Sequence, residues 1–427
     1  MKRLAAVLCS IVALTWPLAA QRGAASAKPL EIYVVDTEGG KAALWVSPSG
    51  QSLLIDSGNP GDRDRDRIMA AINDAGLKQI DFLISTHYHG DHIGGLQELA
   101  RRIPIGHYID HGKTVEQREQ VQGFEAAYAE LYGKAKHTVV KPGDKVPIAG
   151  LDWRIVSAAG NVLKTPLPGG GKANPACAGV ATKDASPTDD NGQSVGSVIT
   201  FGQFRAIDLG DLLWKQELDL MCPNNPIGAI DLYFVTHHGL DASGSPALVR
   251  GVQPRVAIMQ NGTRKGAGTE AVPTMRSSPG LEDIWQLHWS YNAGIEQNSA
   301  GVFIANVDEP ATIANVLTVP PRGGGPGGTG RGGPGGVPGA AVAPGAGQPP
   351  GDAGQPPAAA PAPAGAAPQA GGAGAPGGGP GGPGGGRGAA AAAHTPAYWI
   401  KTSVQPDGTF TVTNSRNGFS KTYVKRR

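Results

Sequence analysis

Residues 80–95 read Ile80-Asp81-Phe82-Leu83-Ile84-Ser85-Thr86-His87-Tyr88-His89-Gly90-Asp91-His92-Ile93-Gly94-Gly95. The first seven form a short apolar run of strand length that reads as a buried strand. It delivers the chain directly into four residues that can hold a metal ion, His87, His89, Asp91 and His92, within six positions. Zinc and similar divalent ions take imidazole and carboxylate ligands from a rigid scaffold, and one loop with this spacing can face two ions at once. The chain has ten histidines, and three of them fall here, immediately after an apolar strand. Gly90, Gly94 and Gly95 allow a tight turn and close packing of the helix that follows.

The same grammar extends in both directions. Upstream, Glu31–Val35, Ala42–Val46 and Leu53–Ile55 read as consecutive antiparallel strands, the last running into Asp56-Ser57-Gly58. A helix is expected from Asp62, as its cap, to about Ala75, with Gly76 ending it. Downstream, strands at Ser197–Phe201, Phe204–Leu209 and Asp231–Thr236 end in Gly210-Asp211 and His237-His238-Gly239. Polar clusters that repeatedly sit just past strand ends imply an α/β body with one site at one edge. Leu281–Trp289 carries Trp285 and Trp289 four apart, as on one helical face, and core packing is the preferred role for them.

His87-x-His89-x-Asp91-His92, Gly210-Asp211, the Asp56-Ser57-Gly58 turn and His237 resemble the metallo-β-lactamase fold superfamily over roughly residues 30–310. The resemblance implies a four-layer αββα sandwich with metals at one edge of its two central sheets. It places His87 and His89 on a first ion, Asp91, His92 and His237 on a second, and Asp211 between them. The Asn191–Ser194 stretch and the His237-His238-Gly239 triplet look more like the hydrolase domain of bacterial DNA-uptake channels than like antibiotic-degrading members. Where most members carry a third histidine this chain has Asn191, a poorer zinc ligand, so one tight and one labile ion are expected. Zinc is the first choice, with manganese or iron as alternatives.

The function expected from this set is hydrolysis of an ester-like or phosphodiester bond by a metal-bound hydroxide. Asp91 orients the hydroxide or moves protons. His238 serves the leaving group or an oxyanion, or orients a ligand from behind. His111, which follows the strand-like Tyr108–Asp110, and Asn191 are candidates for contact with substrate. The irregular stretch 163–193 is long enough to form a pocket wall. An extracellular nuclease or phosphodiesterase is the nearest alternative, and a non-catalytic binding module that keeps the fold is another.

Composition sets the remaining bounds. Lys plus Arg total 37 against 35 acidic residues in 427, which excludes a strongly basic nucleic-acid binder, and no stable nucleic-acid complex is expected. A small-molecule or phosphodiester substrate is the expected partner; oligomeric state is not legible. Residues 1–27, with Met1-Lys2-Arg3 before an apolar run, read as a signal peptide, which implies a secreted or periplasmic protein without a transmembrane segment once it is removed. Cys177 and Cys222 then remain as an even pair that suits a disulfide. The hydrolase domain is expected over 28–320. Much of the excess of 65 Gly and 36 Pro lies in 321–393, too poor in large apolar residues to fold. Residues 394–427 regain strand patterning around Pro406-Asp407-Gly408 and Asn417-Gly418. They are expected to dock on the main domain beside Gly301–Val307, or else to form a tethered module that touches cell wall.

Overall fold

A computed structural model describes residues 28–183, 186–292, 294–308 and 394–426, all within one compact unit formed by the chain on both sides of residues 331–390. The expected signal at 1–27 and the segment 321–393 lie outside the described residues. The first half comprises β1 (Leu30–Val34), β2 (Ala43–Val46), β3 (Ser52–Ile55), α1 (Asp62–Asp74), β4 (Phe82–Ile84), α2 (Gly90–Ile93), α3 (Leu96–Ala100), β5 (His107–Asp110), α4 (Glu119–Tyr132) and β6 (Lys136–Val139). The second half begins with β7 (Lys145–Val146), β8 (Asp152–Ala158), β9 (Asn161–Val162), β10 (Lys172–Ala173), β11 (Gly196–Phe201), β12 (Phe204–Asp208), α5 (Trp214–Met221) and β13 (Asn224–Asn225). It continues through β14 (Leu232–Phe234), α6 (Pro246–Val252), β15 (Val256–Met259), α7 (Ala271–Arg276), β16 (Asp283–His288) and β17 (Ile304–Asn306). The C-terminal segment adds β18 (Ile400–Val404), β19 (Phe410–Asn414) and β20 (Ser420–Tyr423).

Two large mixed sheets result. One runs β20-β19-β18-β1-β2-β3-β4-β5-β6, and the other β17-β16-β15-β14-β12-β11-β8-β7 with β9 beside β8. Strand alternation explains the layering. Leu30, Ile32 and Val34 face a central core with Trp45, Trp153, Phe234 and Trp285, while Tyr33 and Val35 face out toward Ile68 and Ile72 of α1, Leu96 and Leu99 of α3 and Tyr128 of α4. On the far side Val198, Ile207, Tyr233 and Ala257 meet Leu218, Leu248 and Val252, and Val272. Three apolar interfaces make four layers, the αββα sandwich. An apolar side chain taken fully out of water contributes roughly 1.5–3 kcal/mol, so these interfaces dominate the favourable side of folding.

Two expectations are corrected. Leu281–Trp289 holds a strand, β16, not a helix, because it pairs in parallel with β15, Trp285 opposite Ile258; Trp285 is fully buried and its indole donates to Tyr423 Oη at 3.0 Å. The cap position of α1 is Gly61, without a side-chain cap, because the aspartate that turns back, Asp64, receives the Asn59 amide at 2.7 Å. The C-terminal hairpin adds to the edge of β1, with Leu30 opposite Val404 and Val34 opposite Ile400. It also lies beside residues 301–306, with Asn414 Nδ2 donating to the Val302 and Ile304 carbonyls at 3.0 and 2.8 Å and Tyr398 N donating to Asn306 Oδ1 at 2.8 Å. Cys177 and Cys222 form a disulfide that fastens the 163–193 stretch to the end of α5. Among the described residues no helix is long and apolar enough to cross a membrane.

Candidate metal centre

Parallel pairing of β3 with β4, and of β14 with β12 and β15, points their carboxyl ends to one edge. Just past those ends lie Asp56, His87, Asp211, His237 with His238, and Gln260. Asp56 adopts φ 59°. In that conformation its Oδ1 accepts the Thr86 amide at 2.8 Å, and its Oδ2 accepts Thr86 Oγ1 at 2.7 Å and His92 Nδ1 at 2.8 Å. The metal-motif loop folds tightly over this clamp. A Cβ at Gly94 would lie 2.2 Å from the Gly90 carbonyl oxygen, and one at Gly95 2.4 Å from that of Ser57, so no larger residue fits at either position without moving the loop.

One ligand atom each from Asp91, His92, Asp211 and His238 converges within 4.8 Å. His92 Nε2 is 3.4 Å from Asp91 Oδ2, 3.2 Å from Asp211 Oδ2 and 3.2 Å from His238 Nε2. His238 Nε2 is 3.3 Å from each of the same two carboxylate oxygens. A tetrahedral ion with bonds of about 2.0–2.1 Å requires ligand atoms about 3.3–3.4 Å apart, and these five separations match. Nδ1 of His238 donates to the Gln260 carbonyl at 3.0 Å and Nδ1 of His92 to Asp56, so both Nε2 atoms turn toward the carboxylates. Such backing sets the tautomer of metal-ligating imidazoles. The residues fit a divalent cation.

The electrostatics agree. Burial works against charge on His92, yet Asp211, Asp91 and Asp56 outweigh it and hold its proton well above the ordinary histidine range. Burial likewise opposes ionisation of Asp91 and Asp211, but Lys265 and His92 around the first, and His238, His92 and His237 around the second, keep both carboxyls well below their usual range. A positive charge is thus demanded at this point. Burial, followed by His92 and His89, depresses His87 well below the normal value, which leaves it the neutral imidazole that metals bind.

The predicted residues divide into three groups. Asp91, His92 and Asp211 meet as anticipated. His238, expected to act on the leaving group, occupies the place assigned to His237; the positive φ of both residues, 54° and 57°, turns the second ring into the cluster. His237 touches the cluster only through Asp211 Oδ2 at 3.4 Å, sits 3.1 Å from Ser243 Oγ by its Nδ1, and is pushed down to about 4, chiefly by burial. The His87 and His89 rings stand edge to face with centroids 4.6 Å apart, and His89 Nε2 lies 2.6 Å from Glu116 Oε1 and 2.8 Å from Arg118 Nη2. His87 Nε2, Asn191 Oδ1 and Asp211 Oδ1 are buried atoms without hydrogen-bond partners. His111 lies behind this layer, its Nε2 3.4 Å from Asp190 Oδ2, while Asp190 accepts the Tyr88 amide and the Thr114 hydroxyl, both at 2.8 Å.

Sequence reading missed Lys265, whose ammonium pairs with Asp91 Oδ2, and the Glu116–Arg118 pair at His89. Burial opposes ionisation of Glu116, but hydrogen bonds from His89 and Arg118 win and bring it to about 2. Lys265 belongs to the polar run Gln260-Asn261-Gly262-Thr263-Arg264-Lys265 that follows β15, another strand end; that position was the available signal.

The sequence profile of the metallo-beta-lactamase superfamily matches residues 36–172. Over these residues the chain is similar to that superfamily, and its four-layer αββα sandwich agrees with that likeness. Among its relatives, a hydroxyacylglutathione hydrolase of Citrobacter koseri is 27% identical over 122 residues, 28% of this chain and 39% of the relative. Competence protein ComA of Neisseria gonorrhoeae is 22% identical over 220 residues, 52% of this chain and 25% of the relative. The chain therefore spans well under half the length of either. Among solved structures, CmlA, a diiron beta-hydroxylase from Streptomyces venezuelae, aligns with 15% identity and a TM-score of 0.33, covering 55% of this chain and 45% of that one.

Proposed function

We propose that the chain is an exported, metal-dependent hydrolase that cleaves an ester-like or phosphodiester bond, with zinc as its ion. The observation that carries this reading is the set of five 3.2–3.4 Å separations among Asp91, His92, Asp211 and His238. A divalent ion held there by His92, His238 and Asp211 would supply a water of lowered pKa and polarise the carbonyl or phosphoryl oxygen of the substrate. Asp91 is the most exposed member of the cluster, its side chain 25% accessible against 3% or less for the others, so it is the carboxylate that orients the attacking water and takes its proton. Lys265, on the same carboxylate, presents a second positive charge to the oxyanion that develops as the bond breaks.

His237 is neutral at physiological pH and acts as a hydrogen-bonding wall. Arg118, with a side chain 42% accessible beside His89, offers a further cation to an anionic substrate. The name of the Citrobacter relative supports an acyl-ester substrate. The Cys177–Cys222 disulfide supports an oxidising compartment, in keeping with the signal-like amino terminus. A second, labile ion is assigned to His87, Asn191 and Asp211.

Metal analysis of the mature protein purified without added metal, beside His92→Ala, tests the reading. Near-stoichiometric metal lost in the variant, with parent activity on chromogenic phosphodiesters or acyl esters abolished by chelation and restored by zinc, is the expected result. A parent that stays metal-free after incubation with zinc, manganese and iron refutes it.

A further inference from the structure

A second group of metal-ligating side chains lies outside this centre. Asp36, Glu38, His288 and His394 each offer one ligand atom within 4.8 Å of the others, although they come from three separate parts of the chain. Arg67 binds one oxygen of each carboxylate, Nη1 on Asp36 Oδ2 at 2.9 Å and Nη2 on Glu38 Oε1 at 3.1 Å. Toward the imidazoles, Asp36 Oδ1 is 2.6 Å and Glu38 Oε2 3.9 Å from His288 Nε2, and Glu38 Oε1 and Oε2 are 3.0 and 3.2 Å from His394 Nδ1.

His394 carries the decisive feature. Its Nε2 donates to Asp308 Oδ1, the carboxylate–histidine arrangement that stands behind metal-bound imidazoles. The opposite nitrogen, Nδ1, lies 3.0 and 3.2 Å from the two oxygens of Glu38, so either a second proton on the ring or a cation stands between them. Acceptors approach one another so closely only around a proton or a cation. Three carboxylates, Asp36, Glu38 and Asp308, surround one guanidinium, Arg67, so with neutral imidazoles the group carries two negative charges in excess. Asp36 and His288 are at most 1% exposed, where an uncompensated charge is costly. A cavity of about 270 Å³ lined by Asp36, Arg67, His394 and Trp399 adjoins the group.

We propose that Asp36, Glu38, His288 and His394 form a second divalent-cation site, of the two-imidazole, two-carboxylate kind that zinc accepts, which fastens the chain at residue 394 to the main body. The site stands apart from the hydrolytic centre and does not depend on that centre's function. Because His394 enters six residues before β18, the ion stabilises docking of the C-terminal hairpin.

The test uses the full chain with His92→Ala and Asp211→Ala disabling the first centre, stripped with chelator and titrated with zinc alone. One equivalent is expected to bind and to raise the thermal midpoint, as any ligand selective for the native state does. Adding His288→Gln or His394→Gln is expected to weaken binding by about a hundredfold and to remove the zinc-dependent rise. A background chain that keeps its native circular dichroism yet binds no zinc overturns the site and leaves His394 a doubly protonated bridge. Should that background fail to fold, the two Gln substitutions in the parent decide: loss of one zinc equivalent with hydrolysis unchanged supports the site, and unchanged stoichiometry overturns it.

Discussion

The Nε2 atoms of His92 and His238 stand 3.2 Å apart, although 146 residues separate them in sequence, and each is aimed by a hydrogen bond on its other nitrogen, to Asp56 and to the Gln260 carbonyl. Two imidazoles aimed in this way from different sheets make the pair a two-sided clamp. His238→Ala is therefore expected to lower zinc affinity by at least about a hundredfold, whereas His237→Ala changes it by less than about tenfold. Competition with a chromophoric chelator measures both. Equal losses in the two variants would return the ligand role to His237.

The aim of His92 depends on Asp56. Asp56→Asn preserves shape, and asparagine tolerates the left-handed backbone at φ 59°. The amide, however, cannot serve Thr86 N, Thr86 Oγ1 and His92 Nδ1 together as a carboxylate does. Zinc affinity is expected to fall by about 10–100-fold with the fold retained, as seen by chelator competition and circular dichroism on the same sample.

What sequence reading reached, and what it missed, follows from the range of each cause. The apolar run into His87–His92 and the turn at Asp211 are local patterns, and both led to the right elements. The choice between His237 and His238 rests on two successive positive φ values that residue type does not announce. Trp285 and Trp289 satisfy a helical spacing, but β15 alongside captures the segment as a strand. Lys265 and Glu116 reach the site from loops whose approach is set by the packing of whole sheets. The partner of β18 is β1, some 370 residues away, and nothing in either strand's own pattern names the other.

Lys265 competes with any ion for Asp91 Oδ2. Lys265→Met removes that competitor, so zinc affinity is expected to rise a few-fold, while KM for a phosphodiester rises about tenfold through loss of a cation beside the reacting group. Steady-state kinetics at saturating zinc separates the two effects. A variant with unchanged KM would limit Lys265 to shaping Asp91.

Glu217, fully buried on α5, accepts the Gly244 and Ser245 amides of the turn before α6 at 2.8 and 2.6 Å. Burial pushes its carboxyl up from 4.5 to about 7, against those two hydrogen bonds. A folded value above the unfolded one means that its stabilising contribution is full below about pH 4.5 and is lost as pH rises through about 7. The thermal midpoint of Glu217→Gln should change less than that of the parent between pH 5 and pH 8. Parallel curves would show that Glu217 stays ionised throughout that range.

The C-terminal hairpin supplies both an edge and part of a core. β18 pairs along the whole of β1, and Ile400, Val404, Phe410, Val412 and Tyr423 join the central cluster with Trp285. Removing residues 394–427 would leave the β1 edge unpaired, a template for association, and would expose apolar surface from the middle of the sandwich. Its loss exceeds that of the Tyr423–Trp285 hydrogen bond, worth about 1 kcal/mol, because five buried apolar side chains go with it at roughly 1.5–3 kcal/mol each. Such a sum is of the order of the whole stability of a domain. The truncated chain is expected to be insoluble or to lose its cooperative thermal transition, whereas Tyr423→Phe lowers the midpoint by only a few degrees. Calorimetry on the two variants checks this, and a truncated chain that melts at the parental temperature would mean that β1 needs no partner on that edge.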